Sequence, residues 1–73
     1  MGWLAWGRPP CLLRTVIVNL TDGATIRGAL WDERGAWWVL RHAEHLRPGV
    51  DPEPIDGEVV VHRSHISFVQ VLP

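Results

Sequence analysis

A glycine lies in the middle of the longest segment with a β-type pattern, and this position limits the folds that the chain can adopt. In residues 24–33 (ATIRGALWDE), Ile26, Gly28 and Leu30 fall on one face of an extended chain. A glycine inside a strand weakens pairing unless the chain bends sharply there or another backbone approaches closely. We therefore expect this strand to bend at Gly28, as the strands of a small, tightly curled barrel must.

Two further strand patterns flank this segment. Residues 15–20 (TVIVNL) are rich in β-branched side chains and are followed by an Asp-Gly pair at 22–23, which favours a tight hairpin turn. An Arg-Gly pair at 34–35 marks a second tight turn before residues 36–43 (AWWVLRHA). The first three strands are therefore expected to pair in chain order, as an antiparallel meander.

The second half of the chain begins with an irregular segment and ends in two strand patterns. Residues 44–56 (EHLRPGVDPEPID) contain three prolines and four acidic residues, so we expect an exposed loop. Residues 57–63 (GEVVVHR) and 66–72 (ISFVQVL) predict two strands. They are separated only by Ser64 and His65, which suits a single helical turn.

These patterns predict an all-β protein. We expect a five-stranded, strongly bent, SH3-like small barrel over residues 14–73, preceded by an N-terminal arm or short helix over residues 1–13. A chain of 73 residues can hold one domain with a small core, which argues against an enzyme with a deep cleft. The sequence has no nucleophile elbow, phosphate-binding glycine loop or Ser/His/Asp arrangement, so we expect no enzyme activity, no catalytic residues and no cofactor.

The N-terminal segment 1–10 (MGWLAWGRPP) combines two tryptophans with a short apolar run. The run is too short to span a bilayer and has no basic residues before it, so we expect neither a membrane segment nor a signal peptide. Trp3, Leu4 and Trp6 are candidates for a docking arm that binds a neighbouring subunit or a larger protein assembly; a lipid interface and a loosely attached terminus are the alternatives. The single cysteine, Cys11, excludes an internal disulfide and indicates a reducing setting.

Two His-x-x-His pairs, His42/His45 and His62/His65, raise the question of a metal site. Both pairs lie at the ends of strand patterns, where residues three apart point to opposite faces. No cysteine lies near either pair in the sequence. We therefore expect exposed or interface histidines and no metal site.

The spacing of apolar residues and glycines in the first two strand patterns resembles the first motif of the Sm and Sm-like proteins. That motif has alternating apolar residues, then Leu-x-x-Gly, a second glycine five residues on and an apolar residue two later. The matching positions are Val16, Val18, Leu20, Gly23, Gly28 and Leu30. Residues 59–73 (VVVHRSHISFVQVLP) are similar to the second motif. The resemblance implies a bent barrel that assembles into a homo-oligomeric ring, a hexamer or heptamer, in which the fourth strand of one subunit pairs with the fifth strand of the next.

The last two strand patterns also predict edge pairing from their own residues. Their central segments, residues 58–62 (EVVVH) and 67–71 (SFVQV), are apolar on both faces and carry no lysine or internal proline, which are common guards of an exposed sheet edge. Two unlike edges can pair head to tail and close into a ring. The predicted oligomer interface consists of Val60, His62, Phe68, Val69 and Val71.

Two loops that form the RNA pocket of Sm proteins differ in this chain. By resemblance, the pocket uses an Asp-x-x-x-Asn stretch after the second strand and an Arg-Gly pair in the second motif. Here Trp37 or Trp38 takes the asparagine position, and His62 and Arg63 replace the Arg-Gly pair. With no asparagine to read a uracil edge, we predict that Trp37, Trp38, His62 and Arg63 bind single-stranded RNA by stacking and by Arg and His contacts. Packing of the Trp pair in the core or between subunits is the alternative interpretation.

The sequence therefore leaves two functions open. The first is an RNA-binding Sm-like ring, which the resemblance favours. The second is a structural or assembly protein, of the kind that bacteriophages encode with an Sm-like fold, which has lost the RNA pocket and works by protein–protein docking. The formal net charge of −1 favours the second, because it gives no overall positive field for nucleic acid. Either protein is expected in the cytoplasm of a bacterial or phage-infected cell.

Overall fold

The computed structural model describes residues 12–73, which form an all-β fold of six antiparallel strands. The strands are β1 (Thr15–Leu20), β2 (Thr25–Arg34), β3 (Trp37–Arg47), β4 (Val50–Pro54), β5 (Val59–His62) and β6 (Ile66–Val71). A 3-10 turn, Arg63–His65, joins β5 to β6. The predicted all-β class, the meander of the first three strands and the single helical turn are confirmed.

The strands form one bent sheet in which β3 has partners along both of its edges. Three strands follow one another beyond β3, in the order β2, β1 and β6. The other edge of β3 is shared, because β5 pairs with residues 37–40 and β4 pairs with residues 44–47. Within residues 12–73, β5 pairs only with β3 and β6 pairs only with β1. Each of these two strands therefore keeps one free edge.

The sheet bends at Gly28, as the sequence predicts, and the bend uses a bulge in the facing strand. Between the pairs Arg27–Glu44 and Ala29–Arg41, β3 contains one more residue than β2. Within that interval His42 has a positive φ of 54°. A Cβ on Gly28 would lie 3.1 Å from the Arg41 carbonyl oxygen. The backbones of β2 and β3 approach closely where the sheet bends, and this approach is possible because Gly28 has no Cβ.

The core lies on the inner face of this bent sheet. Its buried side chains are Val16, Val18, Ile26, Leu30, Leu40, Ala43 and Val61. Val16 and Val18 of β1 and Ile26 and Leu30 of β2 lie on one face because side chains alternate along a strand, as the sequence predicts. In β3 the simple alternation fails, because the neighbours Val39 and Leu40 are both buried. Val39 pairs with Val60 on the outer face and is not part of the core cluster.

Residues 47–54 are exposed as expected, but the prediction of an irregular loop over residues 44–56 is wrong, and the barrel has six strands where five were expected. β3 continues to Arg47 and returns through a tight turn at Pro48 and Gly49 to form β4, all of whose residues are exposed. β4 is an edge strand, and an edge strand tolerates proline where the backbone nitrogen faces outwards. The Ile55 N–H donates to the Ala43 carbonyl (2.8 Å), so the alternate positions, which the prolines of β4 occupy, face away from β3.

The backbone contacts of the barrel begin before β1. Leu12 packs against the core, the Leu13 N–H donates to the Leu30 carbonyl (2.7 Å) and the Leu30 N–H donates to the Arg14 carbonyl (3.0 Å). The predicted docking arm of Trp3, Leu4 and Trp6 lies outside the described residues. In the part of the chain that the structure describes, no helix is long and apolar enough to cross a membrane.

Candidate nucleic-acid interface and strand edges

Trp37 and His62 meet on the outer face of the sheet. Trp37 begins β3, His62 ends β5, and the two are direct cross-strand partners. Their rings pack edge to face, with centroids 4.7 Å apart and an interplanar angle of 84°. The Trp37 residue remains 48% exposed, so part of its indole surface faces solvent. The structure thus brings together two of the four predicted RNA-binding residues as a surface aromatic pair.

Arg34 extends this pair onto a third strand. It is the register partner of Trp37 across the tight turn between β2 and β3, so the two side chains share a face. We call Arg34, Trp37 and His62 the Trp37 row. The Arg34 Nε donates to Asp32 Oδ2 (2.9 Å) while most of the guanidinium side chain stays exposed. The sequence interpretation missed Arg34, although a two-residue turn at Gly35 and Ala36 already places residues 34 and 37 opposite each other.

The 3-10 turn after β5 fixes the orientation of the His62 ring. His62 is the N-cap of this turn, and its Nδ1 accepts a hydrogen bond from the Ser64 backbone N–H (3.1 Å). The Ser64 Oγ lies 2.8 Å from the same nitrogen. A side chain that accepts the backbone N–H of the second or third residue of the turn is the usual form of an N-cap. His62 therefore presents its other ring nitrogen, Nε2, away from the turn.

Trp38 faces the opposite side of the sheet from Trp37. It packs against the buried core and is the cross-strand partner of Val61 and of Glu33. Its indole Nε1 is buried and has no hydrogen-bond partner within residues 12–73. The structure does not place Trp38 in the Trp37 row, and for this tryptophan it favours the alternative interpretation, packing in the core.

Arg63 joins the two loops that flank the Trp37 row. Its N–H donates to the Ala36 carbonyl (2.7 Å), which ties the 3-10 turn to the turn between β2 and β3. Its exposed guanidinium reaches Glu33, with 3.9 Å between Nη1 and Oε2. Glu33 shares a face with Trp38, so this ion pair lies towards the inner side. Of the four predicted residues, Trp37 and His62 form the surface pair, Arg63 borders it and Trp38 lies behind it.

The free edge of β5 presents backbone groups of Val60 and His62. The hydrogen bond from Arg63 to Ala36 sets the pattern, because successive residues of a strand direct their N–H and C=O groups to alternate sides. Val60 and His62 then direct theirs away from β3. The Val60 side chain is 53% exposed.

The free edge of β6 is the counterpart of the edge of β5. Since the Leu72 N–H donates to the Thr15 carbonyl (2.9 Å), the same alternation directs the backbone groups of Val69 and Val71 away from β1. The side chains differ in exposure: Phe68 is 57% and Val71 44% exposed, while Val69 packs against the core. Val69 can therefore contribute its backbone to an interface, but its side chain belongs to the fold.

A groove of about 530 Å³ runs beside β5 and borders the Trp37 row. Its walls include apolar side chains from the β1–β2 hairpin and the three valines of β5. Trp37, His62 and His65 line the same groove. Thr21 and Asp22 add polar groups to the lining, so the groove is only partly apolar. An exposed, partly apolar groove next to unpaired backbone groups is suited to the side chains of an added strand.

The four histidines do not assemble a metal site. Within residues 12–73 there is no group of three or more His, Cys, Asp or Glu side chains that could hold a metal ion. His62 and His65 are 6.1 Å apart between ring centroids, and the His45 Nδ1 accepts from the Arg47 Nε (3.3 Å).

Comparison with known proteins identifies the fold. No protein-family model and no curated protein matches the sequence. Among solved structures, a heptameric archaeal Sm protein is 26% identical, with a TM-score of 0.74 over 86% of this chain and 91% of that one. The P. aerophilum SmAP1 heptamer is 24% identical, with a TM-score of 0.75 over 100% of this chain and 93% of that one. On the evidence of its bent barrel and of this likeness, the protein is a member of the Sm and Sm-like superfamily.

Proposed function

We propose that this protein assembles into a closed ring through its β5 and β6 edges, and that the ring binds single-stranded RNA at the Trp37 row. The observation that carries the proposal is the pair of free, apolar strand edges on a barrel whose structural neighbours are heptamers. The solved neighbours are heptameric Sm proteins, and the resemblance to the Sm and Sm-like proteins implies an RNA-binding role without enzyme activity. The proposed role is accordingly non-catalytic.

The two free edges support a head-to-tail contact. β5 offers backbone groups at Val60 and His62, and β6 offers them at Val69 and Val71. Antiparallel pairing of these edges would continue the sheet from one subunit into the next. The exposed side chain of Phe68 accompanies the β6 edge, and the β5 valines supply the apolar part of the groove that could cover it. Because the paired edges are different, repetition of the contact produces a ring when the rotation closes.

The number of subunits is proposed from the neighbours. The two solved structures named above are heptamers, so we propose seven subunits for this chain. Seven chains of 8.3 kDa give a ring of about 58 kDa. A hexamer, the other size that the sequence analysis allows, would be 8.3 kDa lighter.

The Trp37 row supports the RNA-binding part of the proposal. An exposed indole can stack on a base, and stacking contributes about 1–3 kcal/mol per base without requiring a given sequence. Arg34 adds a positive group on the same face. In a ring, each subunit would supply one copy of the row, and several weak contacts on one strand combine into a stronger one. A local site of this kind is compatible with a formal net charge of −1.

Native mass spectrometry of the purified chain, before and after nuclease treatment, tests both parts. We expect a ring of about 58 kDa that carries additional, nuclease-sensitive mass. A monomer would contradict the edge pairing. A ring without nucleic acid that also fails to bind added oligonucleotides would contradict the RNA-binding part and support the assembly protein that the sequence left open.

A further inference from the structure

We infer that the Trp37 row selects guanine-type bases, through their O6 and N7 atoms, over adenine and uracil. This inference rests on the proposed RNA binding and goes beyond it, because it names the base that the site prefers. It depends on which hydrogen-bonding groups the row can offer, and these follow from the contacts that each of its side chains already makes.

The proton of neutral His62 is assigned by the turn. Nδ1 accepts the Ser64 backbone N–H, and a nitrogen that accepts a hydrogen bond carries no proton. In the neutral ring the proton must then be on Nε2. The Ser64 hydroxyl, 2.8 Å from Nδ1, can donate to the same nitrogen and reinforce this tautomer. His62 therefore presents an N–H donor beside the exposed indole of Trp37.

The other members of the row are also donors. Arg34 has only N–H groups to offer, and the indole of Trp37 has a single N–H group and no acceptor. The neighbouring carboxylate of Asp32 is already engaged: its Oδ1 accepts from the Glu33 N–H (2.8 Å) and its Oδ2 accepts from the Arg34 Nε (2.9 Å). The side chains of the row itself therefore offer a stacked base only N–H donors, while the Asp22 carboxylate, whose Oδ1 accepts from the Ala24 N–H (2.9 Å), lines the same groove.

A donor-lined platform discriminates between bases by their exposed edges. Guanine presents two adjacent acceptors, O6 and N7, whereas adenine replaces O6 with an amino donor. Uracil has acceptors at O2 and O4, but its N3–H lies between them and would face the row without an acceptor, which is unfavourable for a desolvated donor. A purine also offers a larger surface to the indole than a pyrimidine. The geometry therefore favours guanine and its analogue hypoxanthine, the base of inosine.

The preference can be measured with three fluorescein-labelled ten-nucleotide RNAs of inosine, adenosine or uridine. Binding to the full chain is followed by fluorescence anisotropy in lithium salt, which limits four-stranded association of inosine. We expect the inosine oligomer to bind at least about fivefold more tightly than the adenosine oligomer, from the discrimination typical of a good base-edge contact. Equal binding, or tighter binding of adenosine or uridine, overturns the preference alone. Failure of all three to bind overturns the proposed RNA binding and the preference together.

Two variants assign the preference to His62. In His62→Asn, the side-chain Oδ1 can replace Nδ1 as the acceptor of the cap, and the remaining Nδ2 donor lies on a shorter side chain that does not reach the position of Nε2–H. In Ser64→Ala, the backbone N–H that fixes the tautomer remains. We expect the ratio of inosine to adenosine affinity to fall towards one in His62→Asn and to persist in Ser64→Ala, at an unchanged oligomer mass. An unchanged ratio of inosine to adenosine affinity in His62→Asn refutes the role of His62. The comparison of the three RNAs uses only the unmodified protein, so it tests the base preference whether or not either variant folds.

Discussion

The bend at Gly28 gives the most quantitative prediction. In Gly28→Ala, the added Cβ would lie 3.1 Å from the Arg41 carbonyl oxygen, 3.2 Å from Ala43 Cα and 3.3 Å from Ala43 Cβ. The first two neighbours are backbone atoms of β3, next to the His42 bulge, and cannot rotate away as a flexible side chain could. The strands would have to separate by several tenths of an ångström at the point where the sheet bends.

Two opposing contributions determine the size of the effect. Overpacking of a close contact typically costs about 1–3 kcal/mol. Alanine also restricts the unfolded chain, which stabilises the folded state by about 0.4–1 kcal/mol where the native φ suits it, as the φ of Gly28 does. The net expectation is a loss of about 1–2 kcal/mol in the free energy of unfolding. For a domain of this size each kcal/mol corresponds to about 4–8 °C in Tm.

Urea denaturation at one fixed protein concentration measures this loss, because the stability of an oligomer depends on concentration. The midpoint should fall while the slope stays the same. Ala43→Gly provides the control, since it removes one of the three crowded atoms: the double variant should lose less stability than the sum of the two single losses. A midpoint for Gly28→Ala equal to or above that of the unmodified protein would refute the close approach as the reason for this glycine.

Two further predictions concern the strand edges and the Trp37 row. Phe68→Lys should lower the oligomer mass in native mass spectrometry, because it places a charge at the proposed interface. The control is Val50→Lys, which changes an equally exposed residue on β4 and should leave the ring intact. A ring that survives Phe68→Lys would argue against the β6 edge. Trp37→Ala should weaken RNA binding in anisotropy titrations by at least about 5-fold, because each subunit loses a stacking contact of about 1–3 kcal/mol and these losses combine along one strand. Trp31→Ala removes an indole that Arg41 covers and that is not part of the row, so this variant should bind as the unmodified protein does. Equal losses in both variants would contradict the specific role of Trp37.

Much of the fold follows from the sequence because turns and alternation are local properties. The Asp-Gly and Arg-Gly turns and the inward residues of β1 and β2 were predictable for this reason. β4 was not predictable from the sequence. Proline excludes a central strand but is tolerated in an edge strand, and the position of a strand in the sheet is known only once the whole sheet has formed. The His42 bulge has no sequence signal either, since a positive φ is uncommon for a residue other than glycine.

The candidate site was predictable only in part. The sequence places Trp37 and Trp38 on opposite faces but does not say which face is buried. Alternation could not identify the buried face, because the neighbours Val39 and Leu40 are both buried. The pairing of Trp37 with His62 depends on the register between β3 and β5. This register could not be predicted from the sequence, because β4 lies between the two strands in the chain and also pairs with β3. The orientation of His62 depends on its contact with Ser64, a local cap that could have been anticipated.

The position of β6 has a consequence for the order in which the barrel folds. β2, β3, β4 and β5 can pair with strands close to them in the sequence, but β6 must pair with β1 from the far end of the chain; Arg14 and Leu72, which are joined by a hydrogen bond, are 58 positions apart. Closing so long a loop costs entropy that only the completed contact returns, so such pairings tend to form late. Until β6 docks, the edge of β1 is open, and the β6 strand of another chain could occupy it. β6 therefore has two possible relations to a neighbouring chain. It offers its outer edge to the next subunit, and it is also the strand that two chains could exchange with the least unfolding.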